Sequence, residues 1–247
     1  DGIRDYKLTG VQTCALPIYY YKKLIEVKLV DKFVFYRIKK NDKRIDFLKK
    51  NKINFVTWGR SSTKDKYAWI DLDNEKSIEI LMQRLFDFGH RKIGFLNVHQ
   101  SFNYGFQRKQ AYEKFHKNKN IKFNAKYYQE SLDHTTLTGI QLSKTLLDLK
   151  DPPTAVICSL DKYFIGCLQE CQRRGLVLAK DISVVGYNDH DNYLSSQNLT
   201  YISHPLAEMG KMAVEMLEKM DKGEKPENLT QLIEPILHKG KSDGKIS

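Results

Sequence analysis

The residue types able to do chemistry are sparse and oddly placed in this chain. No Ser stands between glycines on a strand-to-helix turn, and no nucleophile is positioned to use His90 or His134, so acyl-transfer chemistry has no candidate set. Neither a phosphate-cradling GxxxxGK[ST] loop nor a GxGxxG turn occurs. The run "NDHDN" (188–192) gathers metal-ligand types but reads as a polar turn. Cys167 and Cys171, four apart on an expected helix, lack a matching His or Cys pair; with Cys158 they read as reduced, buried thiols. Enzyme activity, metals and cofactors are therefore not expected.

Binding chemistry is better represented. Arg60 follows the strand-like "INFVTWG". Trp69 stands in "YAWIDLDN" beside Asp71 and Asp73. Phe106 and Arg108 lie in the aromatic-rich "HQSFNYGFQRKQAY". Asp161 follows "PTAVICS", and Asn188 and Asp189 follow "SVVGY". Rings cover the apolar face of a sugar while Arg, Asp and Asn exchange hydrogen bonds with its hydroxyls. Singly, each has a plainer role: Asp161 as a helix cap, Trp69 as core, Arg108 as a surface ion-pair partner. It is their recurrence at successive strand ends that points to a ligand.

The elements that must position these residues alternate in type. Strand-like runs are expected at 32–38, 53–59, 91–98, 124–131, 153–159, 181–189 and 230–240. Helix-like runs are expected at 42–51, 74–90, 107–118, 135–149, 161–175 and 205–223. Ile78, Leu81, Met82, Leu85 and Phe86 share one helical face that closes on Gly89. Such alternation calls for an α/β fold with parallel sheets flanked by helices, in which ligands sit at the carboxyl ends of strands.

Bulk properties bound the rest. The 247 residues, 41% hydrophobic and 11% aromatic, suffice for one large domain or two lobes. No apolar run long enough to span a membrane is present. The net charge of +11 comes from lysines scattered along the chain and reads as a solvated surface.

Taken in order, "NFVTWGR", "WIDLDNE", "FGHRKIGFLN", "QRKQAYEKF", the "PPTAVICS" to "DISVVGYND" stretch and "NLTYISHPLAEMGKMAVEML" resemble the LacI/GalR family of sugar-responsive bacterial transcription regulators, over residues 19 to about 242. The resemblance implies a two-lobed, type I periplasmic-binding-protein-like core closed by a small effector, commonly a sugar, with three chain crossings between lobes. Residues 19–70 and 204–222 would form a first, incomplete lobe, 71–202 and 230–240 a second, and 241–247 a tail. Arg108 matches the arginine that clamps effector hydroxyls. Asn188 stands where many members carry an effector-binding Asp, Trp69 where an aromatic stacks, and Asp161 opens the helix after the "PTA" strand. Ala111, Lys32 and Leu160 depart from the family pattern and leave the effector's identity open. The resemblance further implies a cytoplasmic homodimer that reaches operator DNA only through a helix-turn-helix these residues lack. A periplasmic sugar-binding protein of a transporter is the alternative.

The opening "DGIRDYKLTGVQTCALPI" fits none of this. "TGVQTCALPI" translates ACTGGAGTTCAGACGTGTGCTCTTCCGATC, and "DGIRD" reads from GACGGCATACGAGAT, both like sequencing-adapter pieces. Residues 1–18 are accordingly expected to be non-native and fused to a truncated gene. A core lacking its first strand is expected to be poorly stable alone, through an exposed sheet edge.

Overall fold

A computed structural model describes residues 18–62, 66–188 and 197–246. The chain divides into two compact units. The first holds the described residues up to Asp71 together with Ala207–Leu232, and the second holds Leu72–Leu206 together with the described residues from Ile233 on.

In the first unit, helix α1 (Ile18–Glu26) leads to strand β1 (Lys32–Tyr36), helix α2 (Lys43–Lys50), and strands β2 (Asn54–Trp58) and β3 (Ala68–Leu72). Asp42 starts α2 by accepting the Arg44 amide at 3.1 Å, and its carboxylate also takes the Arg44 guanidinium at 2.7 Å. The sheet order is β1-β2-β3-β9, where β9 (Thr230–Ile233) returns after helix α7 (Leu206–Asp221). Phenylalanines and β-branched residues on alternate strand positions drive this pairing. Phe35 and Phe55 point at α1 and α2, burying Tyr21, Ile45 and Leu48.

The second unit has a six-stranded sheet, β10-β8-β7-β6-β4-β5. Its strands are β4 (Ile93–Val98), β5 (Tyr128–Ser131), β6 (Ala155–Cys158), β7 (Ser183–Asn188), β8 (Thr200–Ser203) and β10 (Ile236–His238). Helices α3 (Asn74–Asp87), α4 (Asn103–Asn118), α5 (Thr136–Leu147) and α6 (Asp161–Arg173) connect them. Strands β4, β6 and β7 are buried along their whole length, as a sheet covered on both faces requires. Asp73 caps α3 through the Lys76 amide at 2.9 Å, and Gly89, at φ +93°, ends it as its position implies. At Gly166 a Cβ would lie 2.5 Å from the Thr136 carbonyl, so glycine there lets α6 press against α5.

Parallel sheets flanked by helices are what the alternation of elements calls for; among the described strands β10 departs from it, running antiparallel to β8. Three local expectations are corrected. The run 230–240 is not one strand: Pro235, which has no amide to donate, separates β9 from β10, and the two join different sheets. Helix α4 begins at Asn103, four residues before the expected 107. Residues 241–246 are no loose tail. Ser242 and Asp243 are buried, the Val184 amide donates to the Ser242 carbonyl at 2.8 Å, and Asp243 takes Arg84. Residues 1–17, the stretch read as adapter-derived but for Ile18, lie outside the described residues.

Candidate functional site

In the second unit, the ends of β4, β6 and β7 lie side by side, because these strands are neighbours in the sheet. Helix α4 begins directly above β4. Its Gly105 permits the approach, since a Cβ there would stand 2.7 Å from the Val98 carbonyl oxygen. One turn on, α4 delivers Arg108, only 4% exposed.

The guanidinium is held on three sides. Its Nε donates to Asn74 Oδ1 at 2.8 Å, and its Nη1 donates to the Ser159 carbonyl at 2.7 Å. Its central carbon lies 3.8 Å from the Tyr187 ring centre and 5.3 Å from that of Tyr104, a cation–π arrangement. Among the described residues no carboxylate pairs with it, and Nη2 has no hydrogen-bond partner. A buried cation with no carboxylate partner among the described residues is costly to keep, which marks Arg108 as a candidate for binding a ligand oxygen.

The other expected residues divide between the units. Asn188, 2% exposed, closes β7 beside Tyr187 and belongs with the arginine's unit. Phe106 is half-buried on α4, where its amide closes the first turn onto the Phe102 carbonyl at 3.0 Å. Asp161 is not the cap of α6: Leu160 holds that position without a side-chain bond, and the Asp161 carboxylate accepts the adjacent Lys162 amide at 2.7 Å. Asp189 lies outside the described residues.

Arg60 and Trp69 belong to the first unit. Gly59, at φ +104°, turns the chain after β2 and aims Arg60 at Asp71, with Nε to Oδ2 at 2.9 Å. The Arg60 guanidinium also lies 5.1 Å from the Trp69 ring. Asp71, 6% exposed, thus takes Arg60, and the half-buried indole packs against the core cluster that includes Phe35, Phe55 and Tyr67.

Sequence reasoning missed Asn74, the Ser159 carbonyl, Tyr104 and Tyr187. Asn74 carried a usable signal, being the first helical residue after a strand that ends in "IDL" and the capping Asp73. A backbone carbonyl carries none.

His90 is a structural residue. Its Nδ1 is 2.9 Å from Thr154 Oγ1, and its Nε2 is 3.0 Å from Ser183 Oγ and 3.1 Å from the Gly244 carbonyl. Burial lowers its pKa from the ordinary 6.5. The three thiols Cys158, Cys167 and Cys171 are buried in one core cluster, and hydrogen bonding from Cys158 together with burial raises the Cys167 pKa. Among the described residues no group of three or more His, Cys, Asp or Glu could hold a metal ion, and no helix is long and apolar enough to cross a membrane.

Residues 82–242 match the family model of a periplasmic binding protein-like domain. The ribose operon repressor of Haemophilus influenzae is 35% identical over 154 residues, 61% of this chain and 46% of that protein. The chain thus spans about half the length of this curated relative. A crystal structure of a regulatory protein of the LacI family from Chloroflexus aggregans superposes with a TM-score of 0.80 at 30% identity, covering 92% of this chain and 82% of that one. The cellobiose complex of the transcriptional regulator CelR has a TM-score of 0.81 at 21% identity, covering 91% and 69%, a likeness of fold.

Proposed function

The chain belongs to the LacI family of regulatory proteins, with a periplasmic binding protein-like domain, and from that premise we propose that it is the effector-sensing core of a transcriptional regulator. The effector is a sugar or a similarly hydroxylated small molecule. Arg108 carries this reading: a buried guanidinium, oriented by two neutral acceptors and two aromatic rings, keeps one nitrogen for a ligand oxygen. Asn188, Phe106 and Asp161 of the same unit are the further candidate contacts, with Asp189 beyond the described residues. Trp69 and Arg60 are those of the first unit. That a relative is a ribose operon repressor, and that a protein of like fold was crystallised with cellobiose, favours a sugar. Those proteins being regulators favours transcriptional control over transport or catalysis.

The effector would act through its unequal affinity for two arrangements of the core, and so change the affinity of a dimer for operator DNA. DNA contact, dimerisation and a cytoplasmic setting belong to this proposal, with the DNA met through a part of the protein outside these residues. A ligand that binds only the folded state raises its melting temperature. A thermal-shift series with D-ribose, cellobiose and other pentoses and hexoses is expected to single out one sugar. If none shifts the melting temperature at millimolar concentration, the sugar reading falls.

A further inference from the structure

Arg108 cannot hold its own direction, because a four-bond side chain over an aromatic ring is free to swivel unless its nitrogens are fixed. We propose that Asn74 is the positioning residue of the site: it aims the Arg108 guanidinium and ties it to the end of strand β3. This deepens the sensing role proposed above and rests on that reading.

The amide of Asn74 is used at both ends. Oδ1 accepts Arg108 Nε at 2.8 Å, while Nδ2 donates to the Leu72 carbonyl at 3.0 Å and to Gln107 Oε1 at 3.1 Å. The side chain is 1% exposed, so none of these bonds can be exchanged for water. The Leu72 bond fixes which end of the amide faces Arg108, because a carbonyl accepts only from NH2. Gln107 and Arg108 are consecutive on α4, so one amide pins two neighbouring side chains of that helix to the start of α3.

Leu72 closes β3 and is the first residue of the second unit, next to Asp71, which ends the first stretch of the other. A ligand that draws the guanidinium by a few tenths of an ångström therefore loads the Asn74 amide, and through it the carbonyl at the point where the chain passes from one unit into the next. Leucine or alanine at 74 would leave Arg108 with one fixed nitrogen and remove the side-chain donor to the Leu72 carbonyl. Aspartate would keep the acceptor for Arg108 and lose the donor to Leu72, so the two halves of the role are separable.

The test compares the wild-type chain with Asn74→Ala and Asn74→Asp, using D-ribose as probe. In the ligand-free protein, the Arg108 Nε–H resonance, assigned by its loss in Arg108→Lys, is expected to be protected from solvent exchange. That protection should vanish in Asn74→Ala and persist in Asn74→Asp. Ribose affinity is expected to fall about tenfold to hundredfold in Asn74→Ala, the range for a lost bond to a charged group, and to recover in Asn74→Asp. Amide exchange over 70–76 should quicken in both variants. A protected Nε–H or unchanged ribose affinity in a folded Asn74→Ala chain overturns the proposal. If the wild type binds no ribose, ribose is not the effector, and the Nε–H measurement still decides the role of Asn74.

Discussion

Replacing Arg108 by methionine separates binding from folding more cleanly than truncation does. The guanidinium makes two charge-assisted hydrogen bonds, to Asn74 Oδ1 and the Ser159 carbonyl. Losing both costs roughly 3–6 kcal/mol, at 1.5–3 kcal/mol each. Against this, removing a cation that is 4% exposed and has no carboxylate partner among the described residues relieves a desolvation penalty of several kcal/mol. Methionine has similar reach, and its sulfur contributes about 0.3–1.5 kcal/mol against rings such as Tyr187 and Tyr104. The opposing effects nearly cancel, so the net change in unfolding free energy should stay within about 2 kcal/mol in either direction. At roughly 2–4 °C per kcal/mol, the melting temperature should move by less than about 8 °C. Ligand binding has no such compensation, and loss of a buried charged contact of about 2–5 kcal/mol means at least a thirtyfold weaker sugar complex, by order of magnitude. Urea unfolding with an unchanged m-value, alongside calorimetric titration, measures both quantities. A loss of more than about 4 kcal/mol in stability with sugar affinity intact would refute the reasoning and make Arg108 a structural residue.

Other consequences are local to the fold. His90 and His116 both have pKa values lowered by burial, so the unfolded chain takes up protons near pH 6.5 that the folded chain refuses. Stability should therefore fall as pH drops below 6.5, and a urea midpoint equal at pH 7.5 and pH 5.5 would contradict this. Asp243→Ala strands Arg84 and removes the bond from Thr200, at an expected cost of about 2–4 kcal/mol of unfolding free energy; an unchanged midpoint would show residues 241–246 to be dispensable. Gly166→Ala forces a methyl group onto the Thr136 carbonyl and should cost at least about 1–3 kcal/mol by overpacking α5 against α6, seen as a lower melting temperature. A melting temperature at or above wild type would mean that the two helices can move apart.

The division between what could and could not be read in advance follows from range. Gly59, Gly89 and the α3 face are local signals, and the structure places them as their spacing implies. Arg108 stands out in the sequence because a motif surrounds it, yet what fixes its guanidinium does not. Asn74 is 34 residues away, and Ser159 contributes a carbonyl that any residue would supply. His90 is a sharper case: its partners lie 64, 93 and 154 residues further on, and no periodicity reports such contacts. The division of 230–240 was visible in Pro235, but which sheet each half joins is decided by the tertiary fold. Residues 241–246 look like a polar tail because Ser and Asp suggest solvent, whereas Thr200 and Arg84 give those groups buried partners.

The central claim is that Arg108 Nη2 is kept for the effector. A crystal structure of the chain with the sugar that most raises its melting temperature tests it directly. The account predicts a sugar hydroxyl about 2.7–3.2 Å from Nη2, with the bonds to Asn74 and Ser159 preserved. A sugar bound with Nη2 untouched, or an Arg108 guanidinium turned away from Asn74 to meet it, would contradict the account.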